Sequence, residues 1–198
     1  GMKFDEADRS STQFNPLLAK AGQGSPSNPI KLAEMGDPNG LNHAAFPFLS
    51  KSTGNFYIVG GDETFPWGVM ATKGQPSNPR GGFHFLNFTD PDNPKEDAVY
   101  QVPEAGSHNM WVYDDVLMAA FYQGGLRVVD ISGELLGDIY NQGREIAVYQ
   151  SSHKEGKIPN APMVWGAQPY KDYIFFADMN SGLYCIQLED LEKGPGAP

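Results

Sequence analysis

Residues 125–131, Gly-Leu-Arg-Val-Val-Asp-Ile, predict a β-strand with both faces covered. Side chains alternate across a strand, so Leu126 and Val128 fall on one face and Arg127, Val129 and Ile131 on the other. Both sets are largely apolar, which a half-solvated strand does not tolerate. Similar short apolar runs, separated by Gly, Pro, Asn and Asp, recur along the chain. They predict strands at roughly 43–49, 55–61, 82–88 and 97–102, then at 108–113, 116–121, 125–131 and 135–140. A last group falls at 162–168, 172–177 and 182–188, and a lone outer strand is expected at 30–35. Helical periodicity is expected only in a short stretch around 15–21.

The runs are copies of one another. Residues 25–46 align with 90–111 without a gap: Asn28-Pro29 meets Asn93-Pro94, His43 meets His108, and Phe46 meets Trp111. Residues 115–131 align in the same way with 172–188, placing Asp115 on Asp172, Gly125-Leu126 on Gly182-Leu183 and Ile131 on Leu188. Residues 82–88, Gly-Phe-His-Phe-Leu-Asn-Phe, supply a third copy of the last part. A repeated four-stranded antiparallel sheet, apolar on both faces, is the unit of a β-propeller. The expected fold is therefore all-β, with about three four-stranded blades over residues 25–190. Residues 1–24 are expected as a polar extension and 191–198 as a flexible tail. Three blades do not close a ring, for which about four to eight are needed. Either a homodimer closes six blades, with 30–35 of each chain completing the other's last blade, or the chain is a portion of a longer protein.

Composition narrows the partners. The 14 basic and 24 acidic side chains give a net charge of −10, a sign that repels phosphate backbones and excludes nucleic acid as an expected partner. No apolar run approaches the roughly 18–20 residues of a membrane helix. The one cysteine, Cys185, matches Val128 and Phe85 in the repeat and is expected to be a small buried hydrophobe.

Three strings resemble a known family: Asp-Pro-Asp-Asn-Pro at 90–94, Ser-His-Asn-Met-Trp at 107–111, and Gly-Leu-Arg-Val-Val-Asp-Ile-Ser at 125–132. Together with 102–106 and 165–169 they are similar to LVIVD-repeat propeller proteins, in particular to the carboxy-terminal part of bacterial members, over about residues 25–189. The resemblance implies a propeller, a longer parent protein and, by itself alone, an exported location. It implies no activity, since those proteins are mostly of unknown function.

In such a blade, the loop before the first strand and the loop between the second and third strands lie on one side. The long segments 62–80 and 141–161 are thus expected to decorate one face, together with His43 and His108. Long loops on a rigid scaffold are where binding groups gather. His43, His108, Asp62 and Glu63 offer two imidazoles and carboxylates, the donor set of a divalent transition metal. The bland reading of the histidines is a hydrogen bond to a neighbouring blade's backbone. Arg144 and Glu145 could clamp a ligand or make a salt bridge between blades, and Trp67 with Phe65 could line an apolar pocket. Trp111 and Trp165 are expected as wedges between blades, and His84 and His153 as surface or loop residues. No Gly-x-Ser-x-Gly elbow is present. The first expectation is a non-catalytic module with a ligand- or protein-binding face and no cofactor. The alternative is a metal-dependent hydrolase or oxidoreductase.

Overall fold

The computed structural model describes residues 25, 27–36, 42–64, 81–103 and 105–188. The expected extension 1–24 with its helix, the tail 191–198, Phe65, Trp67 and most of the 62–80 insertion lie outside the described residues. Among the described residues there are twelve strands and no helix, as the all-β expectation requires.

The first sheet contains β1 (Asn42–Leu49), β2 (Phe56–Asp62), β3 (Phe83–Asn87) and β4 (Lys95–Tyr100), joined in that order by antiparallel ladders. The second contains β5 (Met110–Tyr113), β6 (Val116–Ala120), β7 (Leu126–Asp130) and, after a two-residue β8 (Gly137–Asp138), β9 (Glu145–Tyr149). The third has β10 (Val164–Tyr170), β11 (Tyr173–Asp178) and β12 (Gly182–Gln187). The first strands of the sheets are neighbours, with β5 touching both β1 and β10.

Alternation along β6 and β7 accounts for the packing. Leu117, Ala119, Val129 and Ile131 join a core with Tyr57, Val59, Phe83, Phe85 and Tyr100 of the first sheet. Met118, Ala120, Leu126 and Val128 join a second core with Val164, Ala167, Ile174 and Phe176 of the third. The second sheet is thus buried on both faces, as its sequence requires. Each fully buried Leu, Val or Phe contributes about 1.5–3 kcal/mol. The Phe121 ring meets Phe83 and Tyr100 edge-on at 5.3 and 5.5 Å, a favoured aromatic geometry that adds to the burial. Gly125 turns the chain into β7 at φ +80°, a left-handed conformation that an L side chain avoids.

Three expectations need correction. The fourth strand of the second sheet is β9, not 135–140. Leu135 and Ile139 are buried in the first core, so this segment is drawn across to the first sheet, where β8 pairs in parallel with Ala98 and Val99 of β4. Residues 30–35, expected as an outer strand, are not a strand in the described chain. Cys185 is exposed, because the face of β12 that carries it has no described sheet against it.

Candidate functional site

The ladder registers bring repeat-equivalent positions to one place. Ala44 pairs with Gly61 and Gly166 with Ala177, each just after a register shift that singles out His43 and Trp165. In the second sheet the Ala120 N–H donates to the Asn109 carbonyl, and the His108 N–H to the Ala120 carbonyl, which puts His108 in the same place. His43, His108 and Trp165 therefore stand at corresponding positions, where the first strand of each sheet begins. In the third sheet it is the register that gives Trp165 this place. By the same count Glu63, Tyr122 and Met179 follow the second strands.

These positions converge. The His43 and His108 rings lie 4.4 Å apart between centroids, and Trp165 lies 4.4 Å from His108 on its other side. Tyr122 meets His108 at 5.5 Å and Trp165 at 6.3 Å, both near edge-on. The Glu63 carboxylate sits among them. Its Oε1 accepts a 2.7 Å hydrogen bond from the Tyr122 hydroxyl and lies 3.8 Å from His108 Nε2. Its Oε2 lies 3.2 Å from His43 Nδ1. The outer ring nitrogens are occupied: His43 Nε2 donates to Asn109 Oδ1 at 3.2 Å, and His108 Nδ1 donates to the Trp165 carbonyl at 2.7 Å. Gly166 allows this closeness, since a Cβ there would come within 3.3 Å of the Asn109 Cβ.

The environment grades from dry to wet. Tyr122 and His108 are buried, Glu63 and Trp165 are half-buried, and His43 is exposed. Burial lowers the His108 pKa, and a proton on His43 would lower it further, against the raising effects of the Trp165 carbonyl and Glu63. Burial, and then the bond to Glu63, raises the Tyr122 hydroxyl, which stays protonated and keeps donating.

Of the expected metal donors, the structure brings His43, Glu63 and His108 together and places Asp62 elsewhere. Alternation along β2 turns Asp62 to the other face, where its Oδ2 meets His84 Nε2 at 3.1 Å. His84 Nδ1 meets Glu96 Oε2 at 2.6 Å. His84 is 3% exposed, so it is an interior residue and not the surface one its isolation in the sequence suggested. His153 does lie on an exposed loop.

Arg144 and Glu145 both have internal partners. Arg144 donates to the carbonyls of Ser132 and Glu134 and so pins the 132–144 loop. Glu145 Oε1 accepts from Arg127 Nη1 at 2.8 Å and from the Tyr100 hydroxyl at 2.5 Å, joining the first and second sheets. Trp111 packs against Phe46 of the first sheet at 5.1 Å, a wedge as expected. Trp165 instead lines the site. Tyr122 and Asn109 escaped the sequence reading; their signal was their distance from the repeat positions, two residues after Ala120 and one after His108.

Compared with known proteins, the chain matches no family model, no curated protein and no solved structure.

Proposed function

We propose that this chain is a non-catalytic binding module, that its three sheets are consecutive blades of a β-propeller of the LVIVD-repeat kind, and that it binds a small polar ligand where the blades' first strands begin. The observation that carries the reading is the convergence of His43, His108 and Trp165 from three equivalent positions. Beside them, Tyr122 and Trp165 offer aromatic surface and Glu63, Asn109 and His43 offer hydrogen-bonding groups. A few fixed polar groups beside an aromatic wall are the usual make-up of a small-molecule site.

The propeller reading is supported by matched faces. Phe85 of β3 packs toward the second sheet and Val128 of β7 toward the third. Cys185, their counterpart in β12, shares its face with Phe175 and Leu183, which is 77% exposed. That face takes another sheet, and a second copy of this chain offers one in its first sheet. Light scattering at micromolar concentration is expected to show a dimer; a monomer would remove this part of the reading.

The ligand face is tested through Trp165. Titrating a panel of sugars, polyols and organic amines while following tryptophan emission should give a saturable change with at least one of them. The change should disappear in Trp165→Phe and in His43→Ala. If no compound responds, or if the response survives both substitutions, this end of the blades is not a binding face.

A further inference from the structure

We infer that His43, Glu63 and His108 form a site for a divalent transition-metal ion of the zinc type, open on its outer side to a further ligand. The inference deepens the binding-face reading above and rests on it. One ligand atom from each of the three residues lies within 4.8 Å of the other two. A tetrahedral ion with bonds of about 2.0–2.1 Å holds neighbouring ligand atoms roughly 3.3 Å apart. The separations here are near that spacing, one on each carboxylate oxygen: 3.2 Å from His43 Nδ1 to Glu63 Oε2 and 3.8 Å from His108 Nε2 to Glu63 Oε1.

The second observation is the orientation of the rings. The oxygens of Asn109 and Trp165 can only accept, so the outer nitrogens of both imidazoles carry the protons. In the neutral rings the lone pairs are then on His43 Nδ1 and His108 Nε2, the two atoms that face the Glu63 carboxylate. Lone pairs directed at a carboxylate repel it unless a proton or a metal ion lies between them; a proton serves one ring at a time, a metal ion both. A metal-bound histidine almost always donates its other N–H to a carbonyl or carboxylate oxygen, and this fixes the ring and strengthens the ligand. Tyr122 performs the same service for Glu63 by donating to Oε1.

The donor set selects the ion. Two nitrogens and one carboxylate oxygen suit zinc and its transition-metal neighbours, whereas calcium and magnesium require mostly oxygen. The structure supplies three protein donors, and the side chains of His43 and Glu63 remain 31% and 35% exposed. Water or a small anion can therefore reach the remaining position, as in open zinc sites.

The experiment is a titration of the chelator-treated protein with Zn²⁺ by calorimetry and with Co²⁺ by visible absorption, with Mg²⁺ and Ca²⁺ as controls. One equivalent of Zn²⁺ should bind per chain, and Co²⁺ should give the intense visible bands of a four- or five-coordinate site. His43→Ala and Glu63→Gln, both at half-open positions, should abolish the bands without lowering the melting temperature of the metal-free protein. Tyr122→Phe and Asn109→Ala should weaken binding by about 10–100-fold. Failure of the unaltered protein to bind Zn²⁺ would overturn the inference, as would binding that survives His43→Ala and Glu63→Gln, which would assign the ion to other surface groups. A Trp165 response to an organic ligand without any metal affinity would leave the binding face standing and sink the metal alone.

Discussion

Replacing Glu145 by Gln should destabilise the fold and leave the metal affinity unchanged. Arg127 lies within the second sheet with its side chain 9% exposed, and its Nη1 is held by Glu145 Oε1 at 2.8 Å. The same oxygen accepts from Tyr100 across the boundary between the sheets. Removing one member of a fully buried ion pair costs about 3–5 kcal/mol, because the other charge is left in a poor solvent. The Glu145 side chain is 23% exposed, so water compensates part of this and about 2–3 kcal/mol is expected. In a chain of this size each kcal/mol lowers the melting temperature by about 2–4 °C, giving a fall of about 4–12 °C. The assay is urea unfolding of the parent, Glu145→Gln, Arg127→Met and the double variant. Since the double variant strands no charge, the loss should fall short of the sum of the single losses by about 1–3 kcal/mol. Glu145→Gln within about 0.5 kcal/mol of the parent, or a coupling below about 0.3–0.5 kcal/mol, would refute the reasoning.

Two further outcomes follow from the backbone and from a buried acid. Gly125→Ala places a Cβ against the Tyr149 carbonyl at a φ of +80°, whereas Gly133→Ala, at +69°, meets open space. Gly133→Ala should cost about 1–2 kcal/mol for its left-handed conformation, and Gly125→Ala measurably more; equal losses in thermal unfolding would contradict the packing of β9. The Asp178 carboxyl is raised by burial, but hydrogen bonds from the Ser151 hydroxyl and the Met163, Asn180 and Ser181 N–H groups outweigh this and hold it below its ordinary 3.8. A lowered folded-state pKa contributes stability that is complete above the unfolded value and is lost as the pH falls toward the folded one. Asp178→Asn should therefore show a flatter decline of the urea midpoint from about pH 5 downward than the parent, and identical slopes would count against it.

How much was legible depended on whether the deciding information was local. Strands β1–β7 and β10–β12 were readable because apolar alternation and turn residues mark each one and the repeat confirms them. Strand β9 was not, because its pattern runs the wrong way: Ile146 and Val148 face solvent while Glu145 turns in toward Arg127 and Tyr100. The segment 135–140 drew attention with Leu135 and Ile139, which are indeed buried, but against the neighbouring sheet. At the site, His43, His108 and Glu63 were recognisable from the repeat and from their chemistry. Separating Glu63 from Asp62 required knowing where β2 ends, since one residue decides which face a side chain takes. His84 gave no signal because Asp62 and Glu96 come from other strands and meet it only through the ladder register.

The excursion that places β8 beside β4 determines where this array can be cut. Leaving β7, the chain crosses to seal the edge of the sheet before it, and only then returns to finish its own sheet as β9. The second unit thus carries a stitch belonging to the first, so a fragment ending at Tyr100 would expose the backbone of Ala98 and Val99 as a sticky margin. An excised or duplicated unit that is to stay soluble must run past Tyr140, and the heritable module of this chain is offset from the sheet one sees.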